Sequence, residues 1–141
     1  MMRSQNWQID MGKAIEKAEA TPFAWGSNDC CLFVCDVILA MTGVDLGADF
    51  RGKYDTREGA EALIGFATDG GDLELFVEQM CRQNHMPEVE VNFAWRGDVA
   101  LHDADAGPCL GIIDGDGAVY LSEKHRLLMI PRGDIRRTWR V

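Results

Sequence analysis

The sequence predicts an α+β domain in which N-terminal helices pack on a C-terminal antiparallel β-sheet. Three observations carry that expectation. Up to Gln83, apolar residues recur at the three-to-four spacing of helices with a buried stripe. Beyond Pro87 the pattern changes to short apolar runs of strand length. Between two of these runs lies Asp114-Gly115-Asp116-Gly117, a hairpin signal, because glycine reaches the positive φ values a tight turn requires. Helices first and strands afterwards imply segregated layers.

The first helix is expected over Gln8 to Ala20, with Ile9, Ala14, Ile15 and Ala18 apolar and Thr21-Pro22 ending it. The second runs from Cys30 to about Met41. Asp29 is its N-cap, Phe33, Val34, Val37, Ile38 and Met41 recur at helical spacing, and Thr42-Gly43 stops it. Phe33, Val34 and Ile38 read as core. Thr56 to Phe66 and Asp72 to Gln83 form two further helices, separated by Asp69-Gly70-Gly71. Strands are expected over Val89 to Phe93, Asp98 to Leu101, Cys109 to Ile113, Ala118 to Leu121, Leu127 to Ile130 and Arg137 to Val141, as an antiparallel meander.

The chain has 141 residues, 47% of them hydrophobic, and no repeat or linker divides it, so residues 1–141 read as a single domain. A formal net charge of -9 argues against nucleic acid and anionic membrane as partners, since both attract basic surfaces. Met1-Met2-Arg3-Ser4-Gln5-Asn6-Trp7 contains no apolar run of signal-peptide type and no segment reaches membrane-span length, so synthesis and folding are expected in the cytoplasm, without membrane insertion. The five cysteines, Cys30, Cys31, Cys35, Cys81 and Cys109, are an odd count and read as reduced thiols. Their spacing lacks the C-x-x-C pairs of zinc sites, so no metal and no cofactor are expected.

The chemically privileged cysteine is Cys30. At the first position of a helix it meets free backbone N–H groups and the positive end of the macrodipole, which favour thiolate over thiol. The ordinary alternative is a small buried hydrophobe, the commonest role of a free cysteine. Cys31 and Cys35, one turn apart, read as packing residues. Arg51, Lys53 and Arg57 form one basic group, and Arg132, Arg136, Arg137 and Arg140 another. Solvated surface is the default for both, with contact to acidic partner surfaces as the functional alternative.

Several motifs resemble the papain-like fold of NlpC-type cell-wall peptidases. Phe23-Ala24-Trp25-Gly26 matches that family's aromatic-x-Trp-Gly turn, and Asp29-Cys30 its Asp-Cys helix start. Arg96-Gly97-Asp98-Val99-Ala100-Leu101 resembles its Gly-Asp strand, and Cys109-Leu110-Gly111-Ile112 the following strand ending in Gly-Ile. Trp-Gly-x-x-Asp-Cys together with Met41-Thr42-Gly43-Val44-Asp45, Arg51-Gly52-x-Tyr54 and Trp139-Arg140-Val141 is similar to a group of small phage and prophage proteins encoded among tail genes.

The resemblance implies Cys30 as nucleophile, a base opening the strand before Gly-Ile, and an orienting residue on the next strand. Those two positions fall on Cys109 and near Leu121. Thiol is a poor general base beside imidazole, and Leu121 has no polar side-chain atom. Of the three histidines, His85 lies ahead of the sheet, and His102 and His125 flank strands. His102 is the best substitute: with Asp103 to Pro108 as a hairpin loop it sits across from Cys109, where Asp103 or Asp105 could orient it. Its bland alternative is a solvated residue at a strand end. The candidate catalytic set is thus Cys30, His102 and Asp29, with Trp25, Gly26 and Cys109 lining the substrate groove that the resemblance implies. Two functions follow. One is a non-catalytic tail component, made in the bacterial cytoplasm and carried into the virion tail, whose partners are other phage tail proteins. The other is an active cysteine peptidase or amidase that cleaves peptidoglycan stem peptides during phage entry.

Overall fold

Three of the four helices begin where a side chain satisfies a free N–H of the first turn. The computed structural model describes residues 1–124 and 126–141. Helix α1 spans Trp7–Ala20, α2 Cys30–Thr42, α3 Arg57–Ala67 and α4 Leu73–Gln83. Asp29, Thr56 and Asp72 accept from Leu32, Gly59 and Leu75 N–H and so cap α2, α3 and α4. Gly43, at φ 79°, ends α2 in the left-handed conformation, its N–H donating to Leu39 C=O. The starts and stops agree with the sequence expectation to within a residue or two.

Helix α2 is apolar nearly all round, and a helix with no polar face has to be enclosed. It lies against α1 and against the sheet, and Phe33, Val34, Val37, Ile38 and Met41 are inaccessible to solvent. Met11 of α1, Val77 of α4 and the sheet residues Val99, Leu101, Ile112, Leu121 and Trp139 complete this core.

Strands β1 (Glu88–Val89), β2 (Val99–Ala104), β3 (Gly107–Asp114), β4 (Gly117–Ser122), β5 (Arg126–Pro131) and β6 (Ile135–Trp139) form one antiparallel sheet in the order β1-β6-β2-β3-β4-β5. The expected meander holds from β2 to β5. It fails at the ends, because β6 returns to pair with the free edge of β2, and β1 pairs with β6. Burial of Trp139, 2% exposed, holds β6 in that place. The expected strand Val89 to Phe93 is cut short at Val89, and Val91–Phe93 is a 3-10 turn. The Asp114-Gly117 hairpin closes as expected, with Gly115 at φ 70°. The β2–β3 hairpin is tighter than the Asp103 to Pro108 loop read from the sequence. Ala104 already pairs with Gly107, leaving Asp105 and Ala106 as the turn, and Gly107 takes φ 121°.

The arginines of both basic groups are engaged in ion pairs or hydrogen bonds, while Arg136 and Lys53 stay exposed at the surface. Arg51 joins Asp36 to Asp45, and Arg57 pairs with Glu123 while lying over the Trp25 ring. Arg132 donates to the carbonyls of Val91, Ala94 and Gly115. Arg136 bridges Glu74 and Asp103, and Arg137 collects Glu74, Glu78 and Glu88, fastening α4 to β6. Arg140 meets Asp98, which is fully buried and also accepts from Arg3, Trp95 N–H and Val141 N–H. No helix among the described residues is long and apolar enough to cross a membrane.

Candidate active site

The turn before α2 is built to hold its first residue still. Ala24 and Asn28 exchange backbone hydrogen bonds of 3.1 and 2.8 Å, and Asn28 Nδ2 donates to Ala18 C=O and Thr21 C=O, fixing the turn to the end of α1. Phe23 and Trp25 meet edge to face at 5.0 Å. Gly26 has φ 86° and is buried, and a Cβ there would run into Tyr54 C=O, so no other residue fits. Asp29, 1% exposed, uses both carboxylate oxygens. Oδ1 accepts from Leu32 N–H at 2.9 Å, and Oδ2 from Gly26 N–H at 2.9 Å and Tyr54 O–H at 2.6 Å. These are the bonds of a cap and a turn clamp. Tyr54 was visible in the sequence only as part of a short motif, and nothing local signals a bond across 25 residues of chain.

Cys30 opens α2 partly exposed, its Sγ 4.0 Å from Cys31 Sγ. The Cys109 thiol on β3 donates to Leu110 C=O at 3.7 Å and lies near enough to Cys30 to act on its acidity. Hydrogen bonding with Cys109 and then Cys31 holds the Cys30 thiol well below its ordinary range, against burial, with the Cys31 backbone N–H adding to it. The neighbouring thiols thus contribute more than the helix terminus on which the sequence argument relied. Cys109 and Cys31 move the other way, raised by the same contacts and by burial, and stay protonated. Burial also pushes Cys35 and Cys81 up to about 12, consistent with packing roles. A cavity of about 40 Å³ lies behind the turn, lined by Trp25, Asp29, Cys31, Phe50 and Tyr54 among others. Among the described residues no group of three or more His, Cys, Asp or Glu side chains could hold a metal ion.

His102 pairs with Cys109 across β2 and β3, as the sequence argument required, but it is not a solvated strand end. The short hairpin leaves it two residues inside β2, 1% exposed, and neither ring nitrogen has a hydrogen-bond partner among the described residues. Its ring lies 4.4 Å from that of Tyr120 on β4, a contact reaching across β3 over Gly111. The orienting role assigned to Asp103 or Asp105 does not hold. Asp103 belongs to β2 and pairs with Arg136, and Asp105 is in the exposed turn. Leu121 lies in the apolar core, while Tyr120, one residue earlier and so on the other face of β4, is the neighbour that reaches the imidazole. His85 is exposed beyond α4, and His125 lies outside the described residues.

Burial lowers the proton affinity of His102, partly opposed by Cys30 and Asp103. An unfolded histidine takes up its proton near pH 6.5, which the folded protein resists. The stability contributed by neutral His102 is therefore fully present above that pH and is lost as pH falls through it toward the folded value. A His102→Phe variant should show a shallower loss of urea midpoint between about pH 7 and about pH 5 than the parent. Equal slopes would contradict the buried, neutral assignment.

Residues 2–141 match the model of a family described as a domain of unknown function (DUF6950), and the chain belongs to that family. Comparison with curated proteins returns no match.

Proposed function

We propose that this DUF6950 protein has a papain-like, NlpC-type fold with a hydrolytic site that has lost its base, and that it serves as a non-catalytic component of a bacteriophage or prophage tail. The order of parts supports the fold: a Trp-Gly turn, a capped cysteine opening a core helix, then a sheet whose β3 brings residue 109 to that cysteine. The tail assignment rests on the resemblance of the motifs to small tail-gene proteins. The fold then provides shape and docking. The arginine groups are engaged within it, so contacts with neighbouring tail proteins fall to other surface.

The observation that carries the non-catalytic reading is a thiol, that of Cys109, at the position where the resemblance places the base. A cysteine protease base must accept a proton and return it to the leaving amine. Cys109 does not fit that role: its S–H donates to Leu110 C=O at 3.7 Å, and the contact with Cys30 and burial hold its proton in place. The nearest substitute, His102, makes no hydrogen bond to Cys30 and resists protonation. Thiolate character at Cys30 is thus present without the acid that would complete amide cleavage.

The alternative, a working peptidase or amidase on peptidoglycan, has one observation in its favour: Cys30 remains an acidic, partly exposed thiol. Incubation with purified peptidoglycan and with free stem peptides separates the two. No release of amines above a Cys30→Ser control is expected, and Cys30-dependent release would overturn the non-catalytic reading. Tail particles purified from an induced lysogen and analysed by mass spectrometry should contain the chain, and its absence from them would overturn the tail assignment.

A further inference from the structure

The sheet ends in two unlike edges. At one, β1 is only two residues long, follows Pro87 and gives way after Glu90 to the 3-10 turn Val91–Phe93. Such an edge offers an incoming strand little to bond to. At the other, β5 runs for six residues, Arg126–Pro131, and among the described residues pairs with β4 alone. None of its residues is buried, and Met129 is 57% exposed.

Long edge strands are ordinarily guarded by a charge, a bulge or a covering element. Here Leu127, Leu128, Met129 and Ile130 are all apolar, and Arg126, the charge that opens the strand, is turned back to donate to Glu19 C=O at 3.1 Å. The phase of the ladder fixes which main-chain groups are left over. Arg132 N–H donates to Asp116 C=O at 3.1 Å in the same register, so the hydrogen-bonded pairs of β4 and β5 are Ala118 with Ile130, Tyr120 with Leu128 and Ser122 with Arg126. Leu127 and Met129 therefore direct their N–H and C=O groups away from β4.

We propose that β5 is an interface with a second copy of this chain, the two β5 strands pairing antiparallel about a two-fold axis through Leu128 and joining the two six-stranded sheets into one. The pattern is its own complement. That axis sets Leu127 opposite Met129 of the partner subunit, and Met129 opposite Leu127 of the partner subunit, each pair exchanging two N–H···O=C bonds. Leu127 and Met129 lie in register with Leu121 and Val119, on the side that carries the helices, so the exposed Met129 gains an apolar neighbour there, while Leu128 meets its own copy on the other side. Neighbouring axes do less. One through Met129 would set Leu127 against Pro131, which has no N–H to give, and one through Leu127 would carry Met129 past the start of the strand at Arg126. A strand of another protein would have to bring a matching apolar sequence, which a second copy supplies by symmetry. A contact of six residues a side is small beside the roughly 1,200 Å² of the smallest standard interfaces, so the dimer is reversible and forms as concentration rises.

The test follows the full-length chain by sedimentation velocity from dilute solution up to about 1 mM, with amide exchange measured by NMR at both ends of that range. The expected result is a shift from monomer to dimer in which the amides of Leu127 and Met129 gain about tenfold protection or more, while those of Leu128 and Ile130, already bonded to β4, change less. Met129→Lys puts a charge on the edge and should stay monomeric throughout, with a urea midpoint close to that of the parent. A parent that is monomeric at every concentration would overturn the proposal. So would a dimer in which Leu127 and Met129 exchange as in the monomer, or one that Met129→Lys leaves undiminished.

Discussion

Replacing Asp98 by alanine should lower the unfolding free energy by about 3–5 kcal/mol, the cost of removing one partner from a buried ion pair. Asp98 is fully buried, and its carboxylate receives Arg3 at 2.8 Å, Arg140 at 3.1 Å, Trp95 N–H at 2.7 Å and Val141 N–H at 3.1 Å. Those bonds join the segment before α1, the turn entering β2 and the residues after β6. With alanine there, Arg3, only 14% exposed, and two backbone donors lose their acceptor. Burial already lowers the proton affinity of Arg3, which marks the site as a poor host for an unpaired cation. Asp98→Asn keeps the shape but places an amide donor among donors, and should lose less. The midpoint of urea unfolding is the measurement, with the denaturant slope retained. A loss below about 1 kcal/mol, the range of surface pairs, would mean that these bonds are not made in solution.

Asp29→Ala is expected to cost about 3 kcal/mol, combining a lost N-cap with lost hydrogen bonds to a buried carboxylate. Here the loss is local as well as global. Leu32 N–H, Gly26 N–H and Tyr54 O–H all converge on this side chain, so the variant frees the start of α2 and the turn beneath Cys30 together. Tyr54→Phe removes one of the three bonds and should cost about 1.5 kcal/mol. Hydrogen exchange reports the local part: the N–H groups of Gly26 and Leu32 should lose protection in Asp29→Ala beyond what the global change explains. If the protection of those two amides falls no further than that of the α2 interior, the clamp is not what holds Cys30 in place.

Much of the helical half was legible in the sequence because its signals are local. Asp29, the apolar positions from Phe33 to Met41 and Gly43 lie within fifteen residues and state the start, the buried face and the end of α2. The sheet was legible only as far as its hairpins. Pairing of β6 with β2 depends on burying Trp139 and on the Asp98 cluster, neither of which is encoded near the strands it joins. The same limit explains the arginines, whose partners Glu74, Glu78 and Glu88 lie 49 to 63 residues away. His102 illustrates how one turn decides a site. A six-residue loop would have left it at a strand end, whereas the two-residue turn at Asp105-Ala106 draws Asp103 into β2 and leaves His102 buried. The pairing of His102 with Cys109 was readable from the hairpin that joins their strands. The contact with Tyr120 was not, since it crosses a strand and depends on Gly111 having no side chain.

Cys109 and Cys31, and no imidazole, lower the proton affinity of Cys30. The most direct test is the pH dependence of Cys30 alkylation, resolved from the other cysteines by peptide mass spectrometry, in the parent, His102→Gln and Cys109→Ala proteins. The expected result is a thiol more acidic than an ordinary cysteine in the parent, unchanged in His102→Gln and shifted to higher pH in Cys109→Ala. A profile that moves to higher pH in His102→Gln and stays put in Cys109→Ala would reveal a thiolate–imidazolium pair and contradict it.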